Sequence, residues 1–156
     1  MPFVAPFFAN GGATAMTKFY NVTDAVGAGT PNRKLDVMLV QYFLKRIYEH
    51  PEYAPAMPQG KMVVDGVCGP ITKNWILKFQ LDANEEFGGV ALDRRVDRAR
   101  GGAAGQKKGT ISGTFYTVLF MNDAFNDRYP QEFNNPQAMK DAPAELRLAL
   151  QSSTPV

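Results

Sequence analysis

The chain has 156 residues, of which 45% are hydrophobic and 21% are charged. This length and composition are sufficient for one globular domain that needs neither disulfides nor a metal ion to fold. The formal net charge of +2 is too small to indicate nucleic acid or a membrane surface as a partner, and we expect neither.

Residues 1–30 are predicted to form an N-terminal arm. The arm begins with apolar side chains that include Phe3 and Phe8, and residues 17–23 are rich in β-branched and aromatic types that favour a short strand. The apolar tip can pack on this domain or on a partner, and in the second case the arm would support an oligomer. No basic residue precedes Lys18 and prolines interrupt the apolar run, so we expect no standard secretion signal. The location stays open between the cytoplasm and export by a non-standard route.

The first helix is predicted to begin after Asn32, which is a suitable N-cap, and to continue to Glu49. His50 ends this helix, because the residue before a proline is disfavoured in the α region. The apolar residues of the helix recur three or four positions apart, which is the spacing of one helical face: Val37, Val40, Leu44 and Ile47.

A second helix is predicted over residues 70–87. Pro70 suits the first helical position, where its missing N–H is no loss, and Gly88 ends the helix. The helix presents four residues on one face, which is predicted to be the buried one: Thr72, Trp75, Ile76 and Phe79.

The segment after the second helix, residues 92–109, is rich in arginine, lysine and glycine. This composition predicts a long, flexible and basic loop. A third helix is predicted from residue 112 or 113 to Asn126. Residues 129–156 are predicted to be a C-terminal tail with one short helix over residues 143–151.

The first two helices and the loop between them carry an ordered set of residues: Val37-x-x-Val40-Gln41-x-x-Leu44, Val64-Asp65-Gly66-x-x-Gly69-Pro70-x-Thr72 and Trp75-Ile76-x-x-Phe79-Gln80. This set resembles the signature of the peptidoglycan-binding-domain family. That signature has a Leu-Gln on the first helix, an Asp-Gly-x-x-Gly-x-x-Thr loop and a helix that ends in Phe-Gln. A second unit partly repeats it, with Asp97-Arg98 in place of Asp-Gly, so that the resemblance covers about residues 33–125.

The resemblance implies a mainly α fold, in which residues 31–128 form a compact three-helix bundle with the arm before it and the long basic loop before its third helix. It also implies a non-catalytic module that binds peptidoglycan in the bacterial cell wall. The alternative is a structural or interaction protein that uses the same fold in a secretion, injection or phage-derived assembly. Its partner would then be another protein.

The residues of the motif divide into two groups. Most are expected to hold the fold, because Asp-Gly is a turn pair and the apolar residues have core periodicity: Gly66, Gly69, Pro70, Thr72, Trp75, Phe79 and Gln80. A ligand would need polar groups and an aromatic platform beside the loops, and the candidates are Asp65, Asp97, Arg98, Tyr42 and Tyr116. The two loops lie close together in this family's fold, so Asp65 and Arg98 are the first choice for its polar rim.

The residues that enzyme chemistry requires are scarce. A zinc site usually includes a pair of histidines, whereas His50 is the only histidine of the chain. Cys68 is the only cysteine, and its place in the Gly66–Gly69 loop favours a packed thiol over a nucleophile. We therefore expect no catalysis, no metal and no cofactor. The basic residues between 94 and 108 are interpreted as a solvated loop, because they lack the interleaved aromatic residues of a single-strand nucleic-acid site.

Overall fold

The computed structural model describes residues 1–6, 18–52, 56–100 and 116–152. The helices of these segments are α1 (Lys34–Glu49), α2 (Pro70–Phe87), α3 (Thr117–Arg128), α4 (Pro130–Asn134) and α5 (Ala144–Ser152), with a 3-10 turn at Pro136–Ala138. The strands are β1 (Phe3–Pro6), β2 (Lys18–Asn21), β3 (Val26–Gly27) and β4 (Arg95–Val96). Strand β1 pairs with β2 and strand β3 with β4, and both pairs are antiparallel.

The prediction of a mainly α fold built from three helices is wrong. The described segments are about 52% helical with five helices, and they also contain two small antiparallel sheets, so the fold is mixed α/β. The strand predicted within residues 17–23 is present as β2. Its pairing with β1, and the pairing of β3 with β4, join segments that are separated in the sequence. Such pairings depend on the whole folded chain, and the local residue pattern therefore does not reveal them.

The described part of the arm packs on the domain itself. Val4 lies opposite Tyr20 in the β1–β2 pair, and both side chains are buried in the core. The side-chain amide of Asn21 donates to the carbonyl of Ala99 at 2.8 Å and accepts from the Ala99 N–H at 3.1 Å. The arm is thereby joined to the segment that follows β4. Phe8 lies outside the described residues.

Helix α1 is the central helix of the core and is buried around most of its circumference. It packs against α2, α3 and α5. Its start differs from the prediction, because Asn32 has a φ of 50° and lies outside the helix, which begins after Arg33 with no side-chain cap. The Asn32 side chain instead closes the preceding turn. Its Oδ1 accepts from the Gly27 N–H at 2.7 Å and its Nδ2 donates to the Gly27 carbonyl at 3.0 Å.

The C-terminal residues continue the same core instead of leaving it as a tail. The Arg46 guanidinium on α1 binds the Glu132 carboxylate on α4 at 2.7 Å and stacks over the Tyr129 ring at 4.0 Å. The apolar side chains of this region join the main core cluster: Phe133, Met139, Ala142, Leu146 and Leu150. The predicted start of the third helix lies outside the described residues, and α3 begins at Thr117. Among the described helices, none combines the length and the apolar composition needed to cross a membrane.

Candidate binding site

The side chain of Gln41, on α1, organises the loop that leads into α2. Its Oε1 accepts from the backbone N–H groups of Asp65 at 3.1 Å and Gly66 at 2.9 Å. Its Nε2 lies within hydrogen-bond distance of Asp65 Oδ1 at 3.2 Å, the Val67 carbonyl at 3.0 Å and Thr72 Oγ1 at 3.0 Å. Asp65 Oδ1 also accepts from the Val67 N–H at 2.9 Å. We call this arrangement the first glutamine turn.

Gln80, on α2, makes the corresponding contacts with the chain around β4. Its Oε1 accepts from the Arg94 N–H at 3.0 Å. Its Nε2 lies within hydrogen-bond distance of Asp93 Oδ1 at 2.9 Å, the Arg95 carbonyl at 2.9 Å and Thr117 Oγ1 at 3.2 Å. Asp93 Oδ1 accepts from the Arg95 N–H at 3.0 Å. We call this arrangement the second glutamine turn.

The two glutamine turns share their sequence order and all but one of these hydrogen bonds, the exception being the bond from the Asp65 N–H to Gln41 Oε1. In each, the aspartate is followed by a residue with positive φ, which is 78° at Gly66 and 59° at Arg94. The turn of the second unit therefore lies at Asp93–Arg94 and not at Asp97-Arg98, where the sequence comparison placed it. Asp93-Arg94 and Asp97-Arg98 have the same two residue types. Because Arg94 stands where the family signature has glycine, the sequence did not show that Asp93-Arg94 corresponds to Asp65-Gly66.

The first glutamine turn presents one charged group and three aliphatic side chains to solvent. Val63, Val67 and Ile71 are 51%, 68% and 43% exposed. The hydrogen bond from the Val67 N–H holds the pKa of the exposed Asp65 carboxyl below its ordinary value. Asp65 is therefore ionised at neutral pH. The turn can offer a ligand a carboxylate acceptor beside an aliphatic surface.

The two tyrosines predicted as ligand contacts lie against the core. Tyr42 is 1% exposed, and its hydroxyl donates to the Lys140 carbonyl at 2.7 Å. A ring so deeply buried offers no face on which a sugar could stack. Tyr116 precedes α3 and is partly buried against the core cluster.

The two charged residues predicted near the second turn, Asp97 and Arg98, are exposed and follow β4. Asp97 accepts from the Arg95 guanidinium at 3.4 Å, and the Arg98 guanidinium lies over the Phe3 ring at 4.9 Å. In the described ranges, no hydrogen bond or ion pair links Asp65 to either of them. The choice of Asp65 and Arg98 as polar groups on one rim stays a prediction.

Most residues predicted to hold the fold occupy structural positions. Gly66 requires glycine, because a Cβ there would lie 2.5 Å from Lys34 Cγ and the backbone has positive φ. Gly69 differs, since its φ is −98° and a Cβ would meet no atom within 4 Å. Pro70 is the first residue of α2. The other four are buried: Thr72, Trp75, Phe79 and Gln80.

The lone cysteine is a poor nucleophile in this environment. Cys68 is partly buried, and burial raises the pKa of its thiol even though Lys73 opposes that effect. A raised pKa lowers the fraction of reactive thiolate at neutral pH. Among the described residues, no group of three or more His, Cys, Asp and Glu side chains is placed to hold a metal ion.

The sequence interpretation did not assign three residues to the second glutamine turn: Asp93, Arg94 and Thr117. A signal for Asp93 was present, because Leu92-Asp93 follows Gln80 as Val64-Asp65 follows Gln41. No comparable signal pointed to Thr117. The long segment between β4 and α3 separates it from Asp93, and only the folded chain brings its hydroxyl to Gln80.

Comparison with protein-family models, with curated proteins and with solved structures found no match to this chain. The resemblance to the peptidoglycan-binding-domain family therefore rests on the motif residues alone and stays a prediction.

Proposed function

We propose that this chain is a non-catalytic module that binds peptidoglycan through the exposed residues of its two glutamine turns. One observation carries the proposal: Gln41 and Gln80 build the same loop-and-helix turn twice. The first turn contains the residues that resemble the family signature. A second, degraded copy is what that resemblance implies for this kind of module.

The exposed groups of the two turns suit a peptide-bearing glycan. The Asp65 carboxylate can accept hydrogen bonds from hydroxyl and amide groups, and Val67 can contact methyl groups. Arg94 and Arg95 are exposed at the second turn and can bind carboxylates. Peptidoglycan combines all of these groups, because its sugar strands carry short peptides with methyl side chains and free carboxylates.

We propose a non-catalytic module because of the surroundings of Cys68 and His50, the two residues that nucleophilic catalysis would use. Burial raises the pKa of the Cys68 thiol, which disfavours the thiolate. His50 packs edge-on against the Tyr129 ring at a centroid distance of 5.8 Å, and its Nδ1 accepts from the Glu52 N–H at 3.3 Å. His50 thus has structural contacts that account for it, and the surroundings of Cys68 disfavour its nucleophilic form.

Co-sedimentation with purified peptidoglycan sacculi tests the proposal. The chain should pellet with sacculi in a saturable manner, and soluble fragments of the same peptidoglycan should compete. Val67→Asp should weaken the pelleting, because it places a charge on the most exposed aliphatic side chain of the first turn. Leu81→Asp is the matched control, since Leu81 is an exposed aliphatic residue on α2 outside both turns.

Failure of the folded wild-type chain to pellet, in a preparation where a known wall-binding protein does so, would contradict the proposed function. Equal weakening by Val67→Asp and Leu81→Asp would contradict the location of the site.

A structural or interaction protein is the second candidate function, and one observation favours it. Trp75, which belongs to the motif, and Tyr42, which follows Gln41, are 2% and 1% exposed, so neither presents a sugar-stacking face. Three exposed side chains near the first turn are aliphatic, Val63, Val67 and Ile71, and exposed aliphatic surface is typical of contacts between proteins.

Sedimentation velocity at increasing concentration tests this second candidate, with a second copy of the chain as the partner. Association that is lost in Val67→Asp and kept in Leu81→Asp would support it. A monomer at all concentrations, combined with saturable pelleting on sacculi, would exclude it.

A further inference from the structure

Arg94 occupies a backbone position that favours glycine. It is equivalent to Gly66 in the first glutamine turn, and its φ of 59° lies in the left-handed region. For a residue with a Cβ this conformation is unfavourable. The Arg94 backbone serves the turn, since its N–H donates to Gln80 Oε1 and its carbonyl accepts from the Ala28 N–H at 3.1 Å.

The Arg94 side chain has no part in holding that turn. It is exposed, and it makes no hydrogen bond or ion pair within the described segments. Glycine would supply the same backbone contacts without strain, as Gly66 does. A strained residue whose side chain does nothing for the fold points to a role in function.

Two further arginines lie beside Arg94 on the same stretch of chain. Arg95 is exposed, and its contact with Asp97 is long at 3.4 Å. Arg98 is exposed, and the Phe3 ring supports its guanidinium from one face at 4.9 Å. The Asp93 carboxylate already accepts from Gln80 and from the Arg95 N–H. Arg94, Arg95 and Arg98 are thus three exposed arginines on the segment 94–98, with the carboxylate of Asp97 beside Arg95, and we call this set the arginine ridge.

We propose that the arginine ridge binds the free carboxylates of peptidoglycan stem peptides. This inference rests on the proposed function and deepens it by assigning a substrate group to the second glutamine turn. A planar guanidinium matches a carboxylate with two parallel N–H donors, and three of them along one segment match a ligand that repeats its carboxylates. Nucleic acid is a poorer match, because the Phe3 ring beside the ridge is partly buried against the core and already faces the Arg98 guanidinium instead of a base.

Arg94→Gly is the central variant of the test. It removes the side chain and relieves the backbone strain, so binding and stability should change in opposite directions. Affinity for sacculi should fall by about threefold for each arginine removed, and the triple variant with Arg95→Ala and Arg98→Ala should lose about 30-fold. Lys140→Ala is the control, since it removes one exposed positive charge away from the ridge.

The ligand side is tested with sacculi that lack teichoic acids and whose peptide carboxyl groups have been chemically amidated. Wild-type binding should weaken on amidated sacculi to the level of the triple variant, whereas the triple variant should bind both preparations alike. If the wild-type chain binds both preparations equally, the arginine ridge is not the carboxylate site, while the proposed function stands. If it binds neither preparation, the proposed function and this inference both fail.

Discussion

The Asn122 side chain takes the place of a neighbouring strand beside Tyr20. Its Oδ1 accepts from the Tyr20 N–H at 2.7 Å, and its Nδ2 donates to the Tyr20 carbonyl at 2.9 Å. Asn122 is on α3 and is fully buried, so the unpaired edge of β2 is satisfied by a helix. One amide thus couples the arm to the helical core.

Asn122→Leu should lower the free energy of unfolding by about 2–4 kcal/mol. The leucine preserves the volume, but it leaves the N–H and the carbonyl of Tyr20 buried without these partners. Denaturant unfolding followed by circular dichroism measures the loss. Asn74→Leu, at an exposed position of α2, should change stability by less than about 0.5 kcal/mol. Equal effects of the two changes would show that the Asn122 contacts are dispensable.

Gln41→Ala and Gln80→Ala should each lower the free energy of unfolding by about 3 kcal/mol. Each change leaves the N–H groups and acceptors of one glutamine turn without their partner in a buried site. Gln131→Ala, at an exposed position of α4, is the control and should be nearly neutral. A neutral result for Gln80→Ala alone would mean that the second turn does not stabilise the fold as the first does.

Arg94→Gly should raise the free energy of unfolding by about 0.5–1 kcal/mol, because relief of the left-handed strain exceeds the added flexibility of the unfolded chain. Gly66→Ala should lower it by about 2 kcal/mol or more, since φ is positive and the new Cβ would lie 2.5 Å from Lys34 Cγ. The two melting temperatures, compared with the wild-type value, test this pair. A melting temperature of Arg94→Gly below the wild-type value would contradict the claim that the Arg94 backbone is strained.

Removal of residues 1–6 should lower the free energy of unfolding by about 2–4 kcal/mol, because these residues pack in the domain. The deletion exposes core that Val4 and Ala5 cover and leaves β2 without its partner strand. Val63→Ser, at an exposed apolar position, is the matched surface change and should be neutral. Unchanged thermal unfolding of the shortened chain would contradict the packing of β1.

Stability should decrease as the pH rises above about 10. Burial raises the pKa values of Tyr20, Tyr42 and Tyr48 above their ordinary value. Above pH 10 the unfolded chain therefore binds fewer protons than the folded chain, and alkali favours unfolding. Below pH 10 the tyrosines are protonated in both states, so the stability that they contribute is fully present. Absorbance of tyrosinate should show some tyrosines ionising only in the transition that circular dichroism reports as unfolding. Smooth ionisation of all six tyrosines before unfolding would contradict this.

The positions of the helices could be predicted from the sequence, because helical periodicity is a local property. Helix α2 spans the predicted residues 70–87, and α1 ends at Glu49 as predicted. The start of α1 was less predictable, because Asn32 can cap a helix or close a turn. The neighbouring Gly27 decides between the two by engaging both ends of the Asn32 amide.

The candidate site was predictable only in its first half. Asp65, Gly66 and Thr72 follow one another closely, and glycine after aspartate marks the turn. In the second half the glycine is replaced by Arg94, and Thr117 comes from a distant part of the chain. The burial of Tyr42 could not be predicted from the local sequence either, because the C-terminal residues that cover it come from far along the chain.

The sequence by itself determined the main helices, the first glutamine turn and the scarcity of catalytic residues, because periodicity, turn chemistry and residue counts need no knowledge of distant contacts. Only the tertiary structure decided that the described part of the arm forms strands of the domain, that the C-terminal residues complete its core and that the second turn lies at Asp93–Arg94. Each of these depends on hydrogen bonds or burial between segments far apart in the chain. The energy of such contacts exists only once the chain has folded.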